Sequence, residues 1–512
     1  MKKPDFRRKP SRPPSRLPGL LASACALLLA GCATDITYNT PAAPIPTQWQ
    51  APPPAAAAGT TAALPHNGSL AGLSHWWEQQ NDPLLVELIM AAEAVSPSVS
   101  TARSNIEQAR ASRAASAAAM LPSVDAIGSA SRGRSAPVNR ATPPVATTLE
   151  AGLQASWEID LFGQYAASRD ADQQRFEGSQ ATWHAARVSM AAEVATQYYS
   201  LRACEKLLEV ARSDAASRAE TARLSDLSTK AGFQAPATAA LARASAAEGH
   251  GNAIQQRMLC DLDIKALVSL TAIDEPALRQ KLAASPVDLT QESMAPVLGV
   301  PAEVLAQRPD IFNAAREVDA AHLEVGSARA QRFPRLSLGG SVFTTKSRTS
   351  ASTQRFDTWT VGPLQLTIPL FDGGASEANV EAAKARYEDA AAQYRASVRK
   401  AVQEVEEALV RLQSTAERNE DARVAAQGYR ASFTGTEARY KSGLASLVEL
   451  EDARRTLLAA QSNVIALQRE RRSAWVALYR ALGGGWTTAE PPVQPLASEV
   501  SAPFTPAAIT AP

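Results

Sequence analysis

Few residues in this chain have the types and spacing that chemistry requires. His66, His75, His184, His250 and His322 are dispersed and share no metal-ligand spacing, so no metal site is expected. The sequence shows no nucleophile elbow, no phosphate-cradling glycine loop and no dinucleotide fingerprint. Neither a catalytic residue nor a cofactor is therefore expected. Two kinds of group remain: acids and cysteines. Glu449, Glu451 and Asp452 crowd together just past Gly443. Cys25 and Cys32 stand near the start, and Cys204 and Cys260 lie deep in the chain. The midpoint of the last two is position 232, a glycine. If the chain turns there into an antiparallel hairpin, the two thiols come to nearly the same height and a disulfide is expected. Two unpaired buried thiols are the alternative. Helix phase decides between them, because the Cα atoms must approach within about 7 Å.

The N-terminus carries an address. Lys2, Lys3, Arg7, Arg8, Lys9, Arg12 and Arg16 precede an apolar run from Leu20 to Ala30. A basic head, a short apolar core and small residues form a secretory signal rather than a membrane span. The ending Leu29-Ala30-Gly31-Cys32 resembles the bacterial lipobox, which implies cleavage before Cys32 and lipid on Cys32. An ordinary signal with an incidental cysteine is the alternative. Ala33 at the next position favours sorting to the outer membrane under the enteric rule. Residues 32–75 are rich in Pro and Ala and read as an extended tether, and 487–512 read as a disordered tail. Lys plus Arg (52) and Asp plus Glu (51) nearly cancel, which argues against nucleic acid as a partner.

The body between tether and tail repeats itself. Lys230-Ala231-Gly232 matches Lys441-Ser442-Gly443, Ala242-Arg243 matches Ala453-Arg454, and Ala266-Leu267 matches Ala477-Leu478, all at an offset of 211. Leu121-Pro122 matches Phe333-Pro334, and Pro97 matches Pro309, at 212. Two repeats are expected, over 76–296 and 297–486. Each holds a medium helix (about 97–120 and 310–332), then two strands (within about 121–162 and 334–371). A long helical hairpin follows (about 163–272 and 374–482). From Leu149 to Leu161 apolar residues alternate with polar ones, the beat of a strand with one oily and one wet face. Leu364, Leu366, Ile368 and Leu370 repeat it, with Leu336, Leu338, Gly340 and Val342 as partner. The polar stretches 135–147 and 347–357 read as loops. No proline interrupts 163–230 or 374–442, so each is expected as one helix, about 100 Å long at 1.5 Å per residue. Val380, Tyr387, Tyr394, Ala401 and Ala408, with Ala391, Val398, Val405 and Leu412, form two heptad series that predict coiled-coil packing. Gly232 and Gly443 are the hairpin turns.

Four strands cannot close a barrel, since about eight is the usual minimum. Three chains would supply twelve. Open sheet edges cannot face lipid, so strands that enter a membrane make oligomerisation obligatory. The fold class expected is thus an α+β membrane protein: a trimeric twelve-stranded barrel continued by a helical barrel.

The motifs Ser156-Trp157-Glu158-Ile159-Asp160-Leu161-Phe162-Gly163, Gly299-Val300-Pro301, Gln307-Arg308-Pro309-Asp310-Ile311, Ile368-Pro369-Leu370-Phe371-Asp372-Gly373-Gly374 and Ala481-Leu482-Gly483-Gly484-Gly485-Trp486 stand in order along the chain. Together they resemble the TolC superfamily, specifically the NodT/OprM-like outer-membrane lipoproteins of resistance-nodulation-division efflux systems. The resemblance implies a homotrimer that is lipid-anchored in the outer membrane and extends into the periplasm. It implies passive conduction of small molecules to the exterior, with a periplasmic adaptor and an inner-membrane resistance-nodulation-division pump as partners and no enzymatic activity. It places a periplasmic gate at Tyr440 to Asp452. There Glu449 and Asp452 ring the aperture, six carboxylates in a trimer, and Tyr440 joins the constraining network. Such rings select cations, and mutual repulsion raises some of their pKa values. A basic residue that ties the tip of some relatives falls at Ala445, and an acid of the first repeat falls at Thr238. Apolar contacts of Leu444 and Leu447 are therefore expected to hold this tip. An exposed acidic helix face is the plainer reading of Glu449 to Asp452. An exit duct for type I protein secretion and a non-conducting coiled-coil lipoprotein are the competing functions.

Overall fold

The computed structural model describes residues 76–78, 82–134, 144–286, 305 and 308–485. Cys32, the tether, the tail, Gly299 to Pro301, Gln307 and Trp486 lie outside the described residues. The elements, in order, are α1 (Pro83–Val95), α2 (Pro97–Ala118), β1 (Ser123–Gly133), β2 (Ala146–Ile159), α3 (Gln164–Lys230), α4 (Pro236–Thr271), α5 (Glu275–Ala284), α6 (Pro309–Ala330), β3 (Arg335–Arg348), β4 (Thr353–Thr367), α7 (Ala375–Lys441) and α8 (Leu447–Ala481). They fall into two compact units. One holds 119–167 and 325–381, the other the remaining described residues.

The first unit is built on an open antiparallel sheet in the order β1-β2-β3-β4. Its register puts like with like. Leu153 pairs Ala126 on one side and Val342 on the other, and Val342 in turn pairs Trp359. Paired residues share a face, so Val124, Leu149, Leu153, Leu338, Val342, Trp359, Val361 and Leu364 form one oily band. All of them except Leu338 are large apolar side chains left exposed in the single chain. The opposite face carries Glu150, Gln154, Ser156, Ser337, Ser341 and Thr360. The expected loop over 347–357 is a correction: pairing runs to Arg348 and Thr353, and only residues 349–352 turn. Thr349 N–H and the Ser352 carbonyl close that turn at 2.8 Å. The reason is that β3 and β4 outrun the oily band, and their polar ends resemble a loop in sequence.

Helices α3 and α7, which lie mostly in the second unit, are single helices of 67 residues each. Seven of the nine heptad positions of α7 are buried, with Tyr387 and Tyr394 half-buried. The core joins α1, α3, α4, α7 and α8, and Trp76 and Trp77 close it against Trp475 and Tyr479 of α8. The sequence reading missed α1. Asp82 caps it, accepting from the Leu85 N–H at 3.2 Å. Helix α2 follows after only Ser96. No single described helix is long and apolar enough to cross a membrane, although α1 and α2, bent by 51°, meet that test as a pair.

Candidate functional site

The hairpin turns use one device twice. At the first, Gly232 N–H donates to the Thr229 carbonyl at 3.0 Å and Phe233 N–H to that of Ser228 at 2.8 Å. At the second, Gly443 N–H donates to Tyr440 at 3.0 Å and Leu444 N–H to Arg439 at 2.8 Å. These paired bonds are a Schellman cap, which needs a left-handed residue at its pivot. Gly232 and Gly443 supply it at φ 81° and 74°. A Cβ at either would meet nothing within 4 Å, so the requirement is backbone conformation alone. The residue after each pivot is large, apolar and outward: Phe233 is 86% exposed and Leu444 71%.

The return helices start differently. Ala235 offers α4 no side-chain cap. Ser446 and Glu449 give α8 a full capping box: Glu449 N–H donates to Ser446 Oγ at 3.2 Å, and Ser446 N–H to Glu449 Oε2 at 2.7 Å. Those bonds hold the Glu449 carboxyl below the usual carboxylate range. In one chain this runs opposite to the rise expected of a ring of acids. Asp452 is exposed and pairs with Arg455 one turn on. Exposed pairs at this spacing contribute little.

The structure separates the two leucines expected to act together. Leu447 is buried with Leu450, Ala222 and Ala242, and Phe433 and Tyr440 pack against this cluster. Leu444 takes no part in it. The Tyr440 hydroxyl lies 2.8 Å from Ser225 Oγ, so α7 meets α3 across the two hairpins. Cys204 of α3 and Cys260 of α4 stand with Cα atoms 5.5 Å apart and their sulfurs joined.

One cluster was invisible in the sequence. Arg454, 2% exposed, bonds Glu451 on its own helix and reaches Ser217 Oγ and Thr221 Oγ1 of α3, each at 3.1 Å. Arg218 of α3 bonds Glu451 at 2.9 Å, Asp214 at 2.8 Å and Ser245 of α4 at 2.7 Å. Burial pushes the Arg454 guanidinium down, opposed by Glu451 and Asp214. The partners that join the two hairpins lie more than two hundred residues apart in the chain, so no local spacing announces the junction.

Comparisons with known proteins bear on the chain as a whole. The family model described as "Outer membrane efflux protein" matches residues 88–271 and 300–484, once per repeat. The chain is 31% identical over 486 residues to the outer membrane protein OprJ of Pseudomonas aeruginosa, covering 91% of this chain and 96% of that one. It is 28% identical over 481 residues to the toluene efflux pump outer membrane protein TtgC of Pseudomonas putida, covering 91% and 95%. Among solved structures it resembles the outer-membrane channel OprN, with a TM-score of 0.77 at 27% identity, over 89% of this chain and all of the other.

Proposed function

Because the chain belongs to the outer membrane efflux protein family, we propose that three copies of it form one gated duct. The protein is an outer-membrane efflux channel that conducts small molecules and performs no chemistry on them. The observation that carries the proposal is the open sheet. It has one oily and one polar face, and the outer edges of β1 and β4 have no partner strand among the described residues. Backbone groups at such edges must be paired before they enter lipid. Edge-to-edge pairing of three copies gives twelve strands, with lipid against Val342, Trp359 and Val361 and water against Glu150 and Gln154.

The long hairpins then line the periplasmic stretch of the duct. Cys32 carries the lipid that tethers each chain. Glu449 and Asp452 of three chains face one another across the aperture and favour cations, and Tyr440 with Ser225 braces the closed tip. Exposed Phe233 and Leu444, one at each hairpin end, are the apolar contacts offered to a periplasmic adaptor, through which an inner-membrane pump delivers its cargo. The Cys204–Cys260 pair clamps the first hairpin.

The test is conductance of the purified protein in planar bilayers under a salt gradient. Discrete, cation-preferring conductance that loses its preference in Asp452→Asn is the expected result. No conductance in either protein would leave a structural coiled-coil lipoprotein instead.

A further inference from the structure

The charged cluster above the second turn draws on all four hairpin helices. Asp214, Arg218 and Thr221 come from α3, Ser245 from α4, and Glu451 and Arg454 from α8. From α7, Phe433 lies under the Arg454 guanidinium, 5.6 Å from ring centre to carbon. The four ionic groups are two acids and two bases, so the cluster is self-neutral. It is also imperfect: Arg454 Nε and Asp214 Oδ1 lie 3.6 Å apart, and neither has a hydrogen-bond partner. Buried charges held this way are weak contributors to stability, and fixing register is their best-attested use.

The register fixed here is that of α8. An α-helix turns about 100° per residue, so Glu449 and Asp452 project within about 60° of each other, while Glu451 points at least about 100° away from both. Exposure follows that geometry: the Glu451 side chain is 20% exposed and that of Asp452 60%. Both oxygens of Glu451 are held, one by Arg218 of the facing hairpin and one by Arg454. The matched positions of the first repeat differ. Offset by 211, Ala240 stands in place of Glu451, and Arg243 in place of Arg454 is 62% exposed.

We infer that Arg218, Glu451 and Arg454 are positioning residues for the gate: by drawing Glu451 inward they set the phase of α8 that turns Glu449 and Asp452 outward into the aperture. This rests on the channel reading above.

Its test uses the sign of a charge. Bilayer reversal potentials would be measured for the full-length protein, Asp452→Asn, Arg218→Gln, Arg218→Lys and Glu451→Gln. If Arg218 acts only through its field, removing a positive charge near the aperture raises cation preference. If it positions α8, Arg218→Gln lowers cation preference, by as much as Asp452→Asn does. Arg218→Lys keeps most of it, and adding Asp452→Asn to Arg218→Gln loses no more. A raised or unchanged preference in Arg218→Gln overturns the inference. Conducting protein whose preference ignores Asp452→Asn refutes the gate reading instead, so the two failures are distinguishable. Glu451→Gln keeps the side-chain shape and guards against misfolding. In correctly assembled protein its preference must fall as well, and an unchanged value counts against the inference.

Discussion

The two hairpins are copies that have been put to different uses. They share 67-residue ascending helices, returns of 36 and 35 residues, and the same glycine cap. Then they diverge at matched positions. Where the first has the joined Cys204 and Cys260, the second has Thr415, which bonds the Leu412 carbonyl within its own helix, and Arg471. Where the second has Ser446, Glu449 and Glu451, the first has Ala235, Thr238 and Ala240. The first hairpin is cross-linked, and its return helix starts with neither a side-chain cap nor an acid; the second is uncross-linked, and its return helix starts capped and acidic. Duplication supplied the scaffold twice, and under the gated-duct proposal the cross-linked copy is a strut and the other carries the gate.

The largest effect should come from taking the strut's clamp away. In the chain-entropy picture, opening a loop the size of that between Cys204 and Cys260 costs about 4 kcal/mol. Thermal melts with and without reductant should therefore show a clear loss, repeated by Cys204→Ser with Cys260→Ser and insensitive to reductant in that variant. The comparison sharpens if the missing clamp is added to the other copy. Thr415→Cys with Arg471→Cys, once oxidised, should reduce conductance, and reductant should restore it.

Next is the buried cluster. Arg454→Ala strands Asp214 and Glu451 without their buried partner and should cost about 3 kcal/mol, whereas Arg243→Ala at the matched exposed position should change stability by less than about 0.5 kcal/mol. Equal effects in denaturation would break the comparison. Smaller still is the cap. Ser446→Ala should destabilise α8 by about 1 kcal/mol, while Ala235→Ser at the matched site tests whether α4 gains from a cap it lacks. The Glu449 carboxyl is held below its ordinary value, so its part of the box is complete above that value and is lost as pH falls through the folded one.

A pH-dependent effect concerns His184 in the first hairpin. Burial pushes its pKa down to about 4, with Arg187 adding to the shift. The neutral ring's stabilisation is full above the unfolded value of about 6.5 and is lost as pH falls toward the folded one. Wild-type protein should thus lose more thermal stability between pH 7 and 5 than His184→Phe. The matched position of the second hairpin is the half-exposed Arg395 rather than a buried histidine.

Much of this could be read from the residues alone, for physical reasons. Proline-free heptads run far enough to fix α7, alternation marks β2, and symmetric spacing about Gly232 locates the cysteine pair. What failed to show is equally particular. Helix α1 is apolar on most faces and is separated from α2 by one residue, so no break announces it. The polar ends of β3 and β4 mimic a loop. Glu449 reads as a gate acid, and only backbone geometry reveals that its carboxylate also caps α8. The cluster of Arg218 and Arg454 depends on tertiary proximity, which leaves no trace in local pattern.

In the proposed trimer the open sheet is one third of a closed wall. Native mass spectrometry of the purified protein in detergent tests it most directly. Three chains are expected, each lighter than the 54.1 kDa full-length chain by the cleaved signal segment, and no larger open-ended series. A stable monomer or a dimer that still conducts would contradict it.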